Sequence, residues 1–121
     1  VWVVCAADAP AERRAALEAR GVRTLAVPRV GRHIDLDAAL ARLGDEQVRS
    51  VFCEGGGRVG GALLEADLIE RLYLFYAPKL FGRDGVPAFP GRIPAAARDG
   101  WVRRAVAEFG ADVMVQLDRI R

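Results

Sequence analysis

The sequence predicts an α/β domain with a mostly parallel sheet and an antiparallel hairpin at its end. Three observations predict it. Short β-branched apolar runs alternate with amphipathic helical segments. Glycine or proline closes nearly every element. Two further strand-like runs flank Gly110-Ala111-Asp112 near the end of the chain, the pattern of a hairpin.

The elements follow in order. Val1–Cys5 is continuously apolar, which suits a strand buried on both faces. Asp8 is placed to cap a helix that Pro10 helps start, with Ala15, Ala16 and Leu17 inside it and Gly21 as its stop. Thr24–Val27 reads as a second strand, ended by Pro28. Asp35 can cap the next helix, whose Leu36, Ala39, Leu40 and Leu43 share one face and which Gly44 ends. Val48–Cys53 is a third strand. A glycine loop follows, then a helix to about Asp67 with Val59, Leu63 and Ala66 inward. Glu70–Ala77 is a fourth strand, closed by Pro78. Residues 79–100 lack periodicity, and a stretch of that length is functional or covers an edge. Trp101–Phe109 and Val113–Ile120 form the hairpin.

Composition narrows the function classes. With 121 residues the chain is one domain at most, and a hydrophobic fraction of 52% speaks against disorder. The net charge is +2 with both signs interspersed, which favours neither nucleic acid nor an anionic membrane. Lys79 is the only lysine, so a single arginine carries little functional weight. Cys5 and Cys53 read as buried free thiols of a cytoplasmic protein, and with His33 they make no metal set. No run reaches the length of a membrane span. The chain opens inside a strand with neither Met nor leader, which reads as part of a longer chain.

The most informative stretch is Glu54-Gly55-Gly56-Gly57-Arg58-Val59-Gly60-Gly61. A strand that stops at glycines and restarts as a helix offers free N–H groups and a backbone that a diphosphate can approach. Gly55, Gly57 and Gly60 satisfy G-x-G-x-x-G, but the following strand ends in Pro78-Lys79 rather than in the acid that holds a ribose. A glycine-rich tight turn without a ligand is the structural alternative. Glu54 can accept from a substrate or bond nearby loop N–H groups. Arg58 can pair with a phosphate or stand solvated, and Lys79 fits a surface lysine better than a phosphate ligand. Tyr73 and Phe75 fit core or subunit contact better than cofactor stacking.

At these residues the chain resembles the dihydrofolate-reductase superfamily. Glu54 before the glycines, Leu68 through Leu72, and Ala77-Pro78-Lys79-Leu80-Phe81-Gly82 resemble one branch of it, the reductase domain of the bifunctional riboflavin-biosynthesis deaminase/reductase. The ending Gly110-Ala111-Asp112-Val113 is similar to that family's last hairpin. The resemblance implies a dihydrofolate-reductase-like three-layer α/β fold, of which residues 1–121 are the C-terminal portion and the N-terminal half is absent. It implies NADPH-dependent reduction of 5-amino-6-(5-phosphoribosylamino)uracil to the ribityl form. Gly56, Gly57, Arg58, Val59, Gly60, Gly61 and Ala62 become the NADPH-binding stretch and Glu54 the substrate contact, with a cis bond between Gly55 and Gly56. A homodimer is implied too. Two other readings stay open at this point: a related reductase acting on a pterin or other small molecule, and a non-catalytic nucleotide-binding or assembly module.

Overall fold

The structure, a computed structural model, describes residues 1–91 and 93–120, and the chain divides into two units with the boundary after Phe52.

In the first unit, β1 (Trp2–Ala6) pairs in parallel with β2 (Arg23–Val27), Trp2 opposite Arg23 and Ala6 opposite Val27. Between them runs α1 (Ala11–Glu18), and α2 (Leu36–Asp45) follows; both pack on β2. The core is therefore β2: Leu25 and Val27 are each 2% exposed, with Ala6 and Ala39 buried beside them. Contrary to expectation, β1 is only half-buried along most of its length, because β2 is its one neighbour and its other edge is unpaired among the described residues. Asp8 does not cap α1; the N-cap position is Pro10, and the Asp8 carboxylate instead accepts from Arg29 Nε at 2.5 Å. Asp35 caps α2 as expected, accepting from the Ala38 N–H at 3.0 Å. A short hairpin that periodicity does not signal, β3 (Arg29–Val30) with β4 (His33–Ile34), places His33 in a strand rather than a loop.

The helices share one ending. In α2 and α3 the first residue past the cap, and in α1 the second, takes positive φ, and two successive N–H groups reach back into the last turn, the Schellman arrangement. Gly21 (φ 75°) does this for α1. For α2 the residue is Gln47 (φ 68°), with Val48 N–H bonding Leu43 O; Gly44, the expected stop, lies inside the helix. For the third helix, α3 (Gly57–Glu65), it is Asp67 (φ 54°).

The second unit carries β5 (Arg71–Tyr76), the one-turn α4 (Ala95–Arg98), β6 (Trp101–Phe109) and β7 (Asp112–Arg119), in the antiparallel order β5-β7-β6. Gly110 (φ 63°) is the first of two turn residues between Phe109 and Asp112, and Ala111 keeps negative φ, as a type II′ hairpin requires. Arg71 grips Asp118 across the β5–β7 ladder with two bonds of 2.7 and 2.9 Å, and Gln116 adds a third. These bonds hold the Asp118 carboxyl down at about 2, the Arg71 guanidinium contributing most. Trp101 donates to Ala97 O and lies under Arg119, which also pairs with Asp67.

Within this α/β arrangement one expected strand is missing. Val48–Cys53 joins no sheet among the described residues, and Phe52 is 70% exposed. Composition favours a strand there, but a strand needs a ladder partner, and β5 takes β7 as its neighbour instead. Cys53 is consequently an exposed thiol, not a buried one; Cys5 is half-buried, and both are free.

A candidate cofactor-binding turn

The turn is built from the backbone. Gly56 (φ −54°, ψ 168°) occupies the N-cap of α3, where it supplies no capping side chain, and the first turn holds no acidic residue. Among the described residues, the N–H groups of Gly56, Gly57 and Arg58 make no hydrogen bond. These orphan donors, at the positive end of the helix, suit an anionic oxygen. The Gly55–Gly56 bond is trans, against expectation, the isomer favoured by about 2.5–4 kcal/mol outside proline.

The glycines divide into two sets. At Gly56 a methyl group would meet nothing within 4 Å, and at Gly55 only ordinary contacts with Cys53 Sγ and Val59 at 3.8 and 3.9 Å. That side of the loop is open to an incoming ligand. Gly57, Gly60 and Gly61 are different, because Ala88-Phe89-Pro90 lies across them. A methyl at Gly57 would collide with Ala88 O, one at Gly61 would stand 2.8 Å from Pro90 O, and one at Gly60 would press the Phe89 ring at 3.3 Å.

This segment overturns the expected inward face of α3. Val59 is 48% exposed and Ala66 is exposed, whereas Gly61 and Leu64 are buried and Leu63 is half-buried. Hydropathy assigns glycine no side of a helix, so the face made by residues 57, 60, 61 and 64 escapes a search for apolar side chains. Its signal was the i, i+3, i+4 spacing of three glycines.

Glu54 stands exposed directly before the glycines, and its carboxylate has no partner among the described residues. Arg58 is exposed in the first turn. Ala62 is half-buried, and Lys79 is exposed beyond β5. On β5, Tyr73 and Phe75 point to the more open face, Phe75 against Phe109 with ring centroids 5.9 Å apart; Leu72 and Leu74 are half-buried on the other. No three His, Cys, Asp or Glu side chains converge among the described residues.

Fold and turn together define the class: a partial α/β domain of the dihydrofolate-reductase-like type, with an uncapped glycine-rich helix start. The family is more specific. The RibD C-terminal domain family matches residues 1–113, and the chain belongs to it. Over 98 residues the chain is 36% identical to the riboflavin biosynthesis protein RibD of Escherichia coli strain K12, covering 79% of this chain and 27% of that protein. Over 54 residues it is 33% identical to the 5-amino-6-(5-phosphoribosylamino)uracil reductase of Buchnera aphidicola, covering 45% of this chain and 26% of that one. The solved structure of Acinetobacter baumannii RibD, form 1, superposes with a TM-score of 0.75 over 100% of this chain and 31% of its own, at 21% identity, which speaks to the fold. The chain thus spans about a third or less of the relatives it matches.

Proposed function

We propose that this chain is the cofactor-anchoring portion of an NADPH-dependent reductase of riboflavin biosynthesis. Its substrate is 5-amino-6-(5-phosphoribosylamino)uracil, whose ribosyl group is reduced to ribityl. One observation carries the reading: α3 begins with three N–H groups unpartnered among the described residues, behind an open Gly55–Gly56 backbone, in a chain of the RibD C-terminal domain family. The cofactor supplies the hydride. Gly56, Gly57 and Arg58 receive its diphosphate through their N–H groups, and the Arg58 side chain adds a cation. Val59, Gly60, Gly61 and Ala62 continue that helix behind the contact. Glu54 accepts hydrogen bonds from the substrate at the mouth of the loop.

The same reading makes the protein a cytoplasmic homodimer. No helix among the described residues is long and apolar enough to cross a membrane. The edge of β1 left unpaired among the described residues, and the exposed Phe75, Tyr76 and Phe109, are the surfaces a second chain can cover. Sedimentation at high micromolar concentration should give a dimer; a monodisperse monomer contradicts this part.

The decisive assay mixes the full-length protein, NADPH and the ribosylaminouracil phosphate. Substrate-dependent NADPH oxidation, with none on dihydrofolate, is expected. Oxidation on dihydrofolate alone would move the chain to the pterin-reducing branch. Tight NADPH binding without turnover on either would make it a nucleotide-binding module.

A further inference from the structure

The segment Ala88–Pro90 lies in a long aperiodic stretch and crosses α3 at its glycines, 57, 60 and 61. Helical spacing puts residues 57, 60 and 61 on one side; there a Cβ at 57 would meet Ala88 O and the Pro90 ring, one at 61 would meet Pro90 O, and one at 60 the Phe89 ring. A carbonyl fixed in a chain cannot swing aside as a side-chain tip can, so any Cβ at 57 or 61 must displace the segment or the helix. Residues 58, 59 and 62 lie on the other side, where Arg58 and Val59 are exposed. The first turn of α3 is thus held from one flank while its N–H groups and the Gly55–Gly56 backbone stay open.

We propose that Ala88–Pro90 is a strap that sets the position of the cofactor-binding turn, with Gly57 and Gly61 as positioning residues and Gly55–Gly56 as the ligand-facing pair. The proposal rests on the cofactor reading above and deepens it. A turn that presents several N–H groups to one diphosphate needs all of them in register, and helix α3 has no capping side chain to fix its start. The strap does that work from behind. It also joins the turn to the loop after β5, so the two move together.

The test compares three variants of the full-length protein by two readouts, amide hydrogen exchange over residues 82–91 and NADPH affinity. Gly61→Ala should speed exchange in the strap about tenfold and raise the NADPH Kd about tenfold. Phe89→Ala, which leaves α3 untouched and guards against a Gly61 variant that fails to fold, should do both about threefold. Gly56→Ala should raise Kd while leaving strap exchange at the wild-type rate. Unchanged exchange in both Gly61→Ala and Phe89→Ala overturns the strap. Faster exchange with unchanged Kd overturns its positioning role. A wild-type protein that binds no NADPH overturns the cofactor reading, and the positioning role with it, even if exchange shows the strap to be docked.

Discussion

Helices α2 and α3 start in opposite ways. At α2, Asp35 turns its carboxylate onto the Ala38 N–H, and Asp37 adds a second negative charge in the first turn. One orphan donor there is answered from within, and two carboxylates stand where an anion would approach. At α3 the cap is Gly56, the first turn has no acid, and the N–H groups of residues 56–58 have no partner among the described residues. Capping is worth about 1 kcal/mol, so a helix that forgoes it gives up stability. The difference teaches where an external anion can be received: α2 sets two carboxylates at its start, and α3 sets none.

The sharpest way to break the comparison is to give α3 the cap of α2. Gly56→Asp should stabilise the helix start while cutting NADPH affinity by about two decades, since a fixed carboxylate takes the N–H groups and repels the diphosphate. Calorimetric titration together with a melting curve measures both; a higher Tm with unaltered Kd would show that the donors are not used. Glu54→Gln probes the neighbouring group. Losing a charge-assisted bond costs about 1.5–3 kcal/mol, so kcat/KM should fall by roughly one to two decades with NADPH Kd unchanged. Equal kcat/KM in the two proteins leaves Glu54 a solvent-facing carboxylate.

Two smaller effects sharpen the other side of the contrast. Asp35→Ala removes the α2 cap and should destabilise the protein by about 1 kcal/mol in urea titration, with no change in NADPH affinity. Gln47→Gly relieves a side chain held at positive φ at the end of α2 and should stabilise by up to about 1 kcal/mol. A loss of stability there would mean that the Gln47 side chain contributes more than its backbone costs.

Much of the fold was legible because its signals are local. Asp35, Gly21 and the Gly110 turn each act within a few residues, and each was read correctly from sequence. The errors concern partners distant in the chain. Val48–Cys53 has the composition of a strand but no ladder, and β5 runs antiparallel to a strand about forty residues later. Asp8 had the right residue type for a cap but was drawn to Arg29. In the turn itself, the glycines announced a close backbone approach without naming what approaches. Gly55 and Gly56 face open space, whereas Gly57 and Gly61 face Ala88 and Pro90 of the same chain. What lies beside each glycine in the fold separates those two meanings of one residue type.

The most direct measurement is an amide chemical-shift titration of the isotopically labelled full-length protein with NADPH. The amides of Gly55, Gly56, Gly57 and Arg58 should shift strongly and saturate together, while those of Leu36, Asp37 and Ala38 at the capped start of α2 stay in place. Saturable binding that leaves residues 55–58 unmoved would contradict the assignment of the α3 turn as the diphosphate anchor.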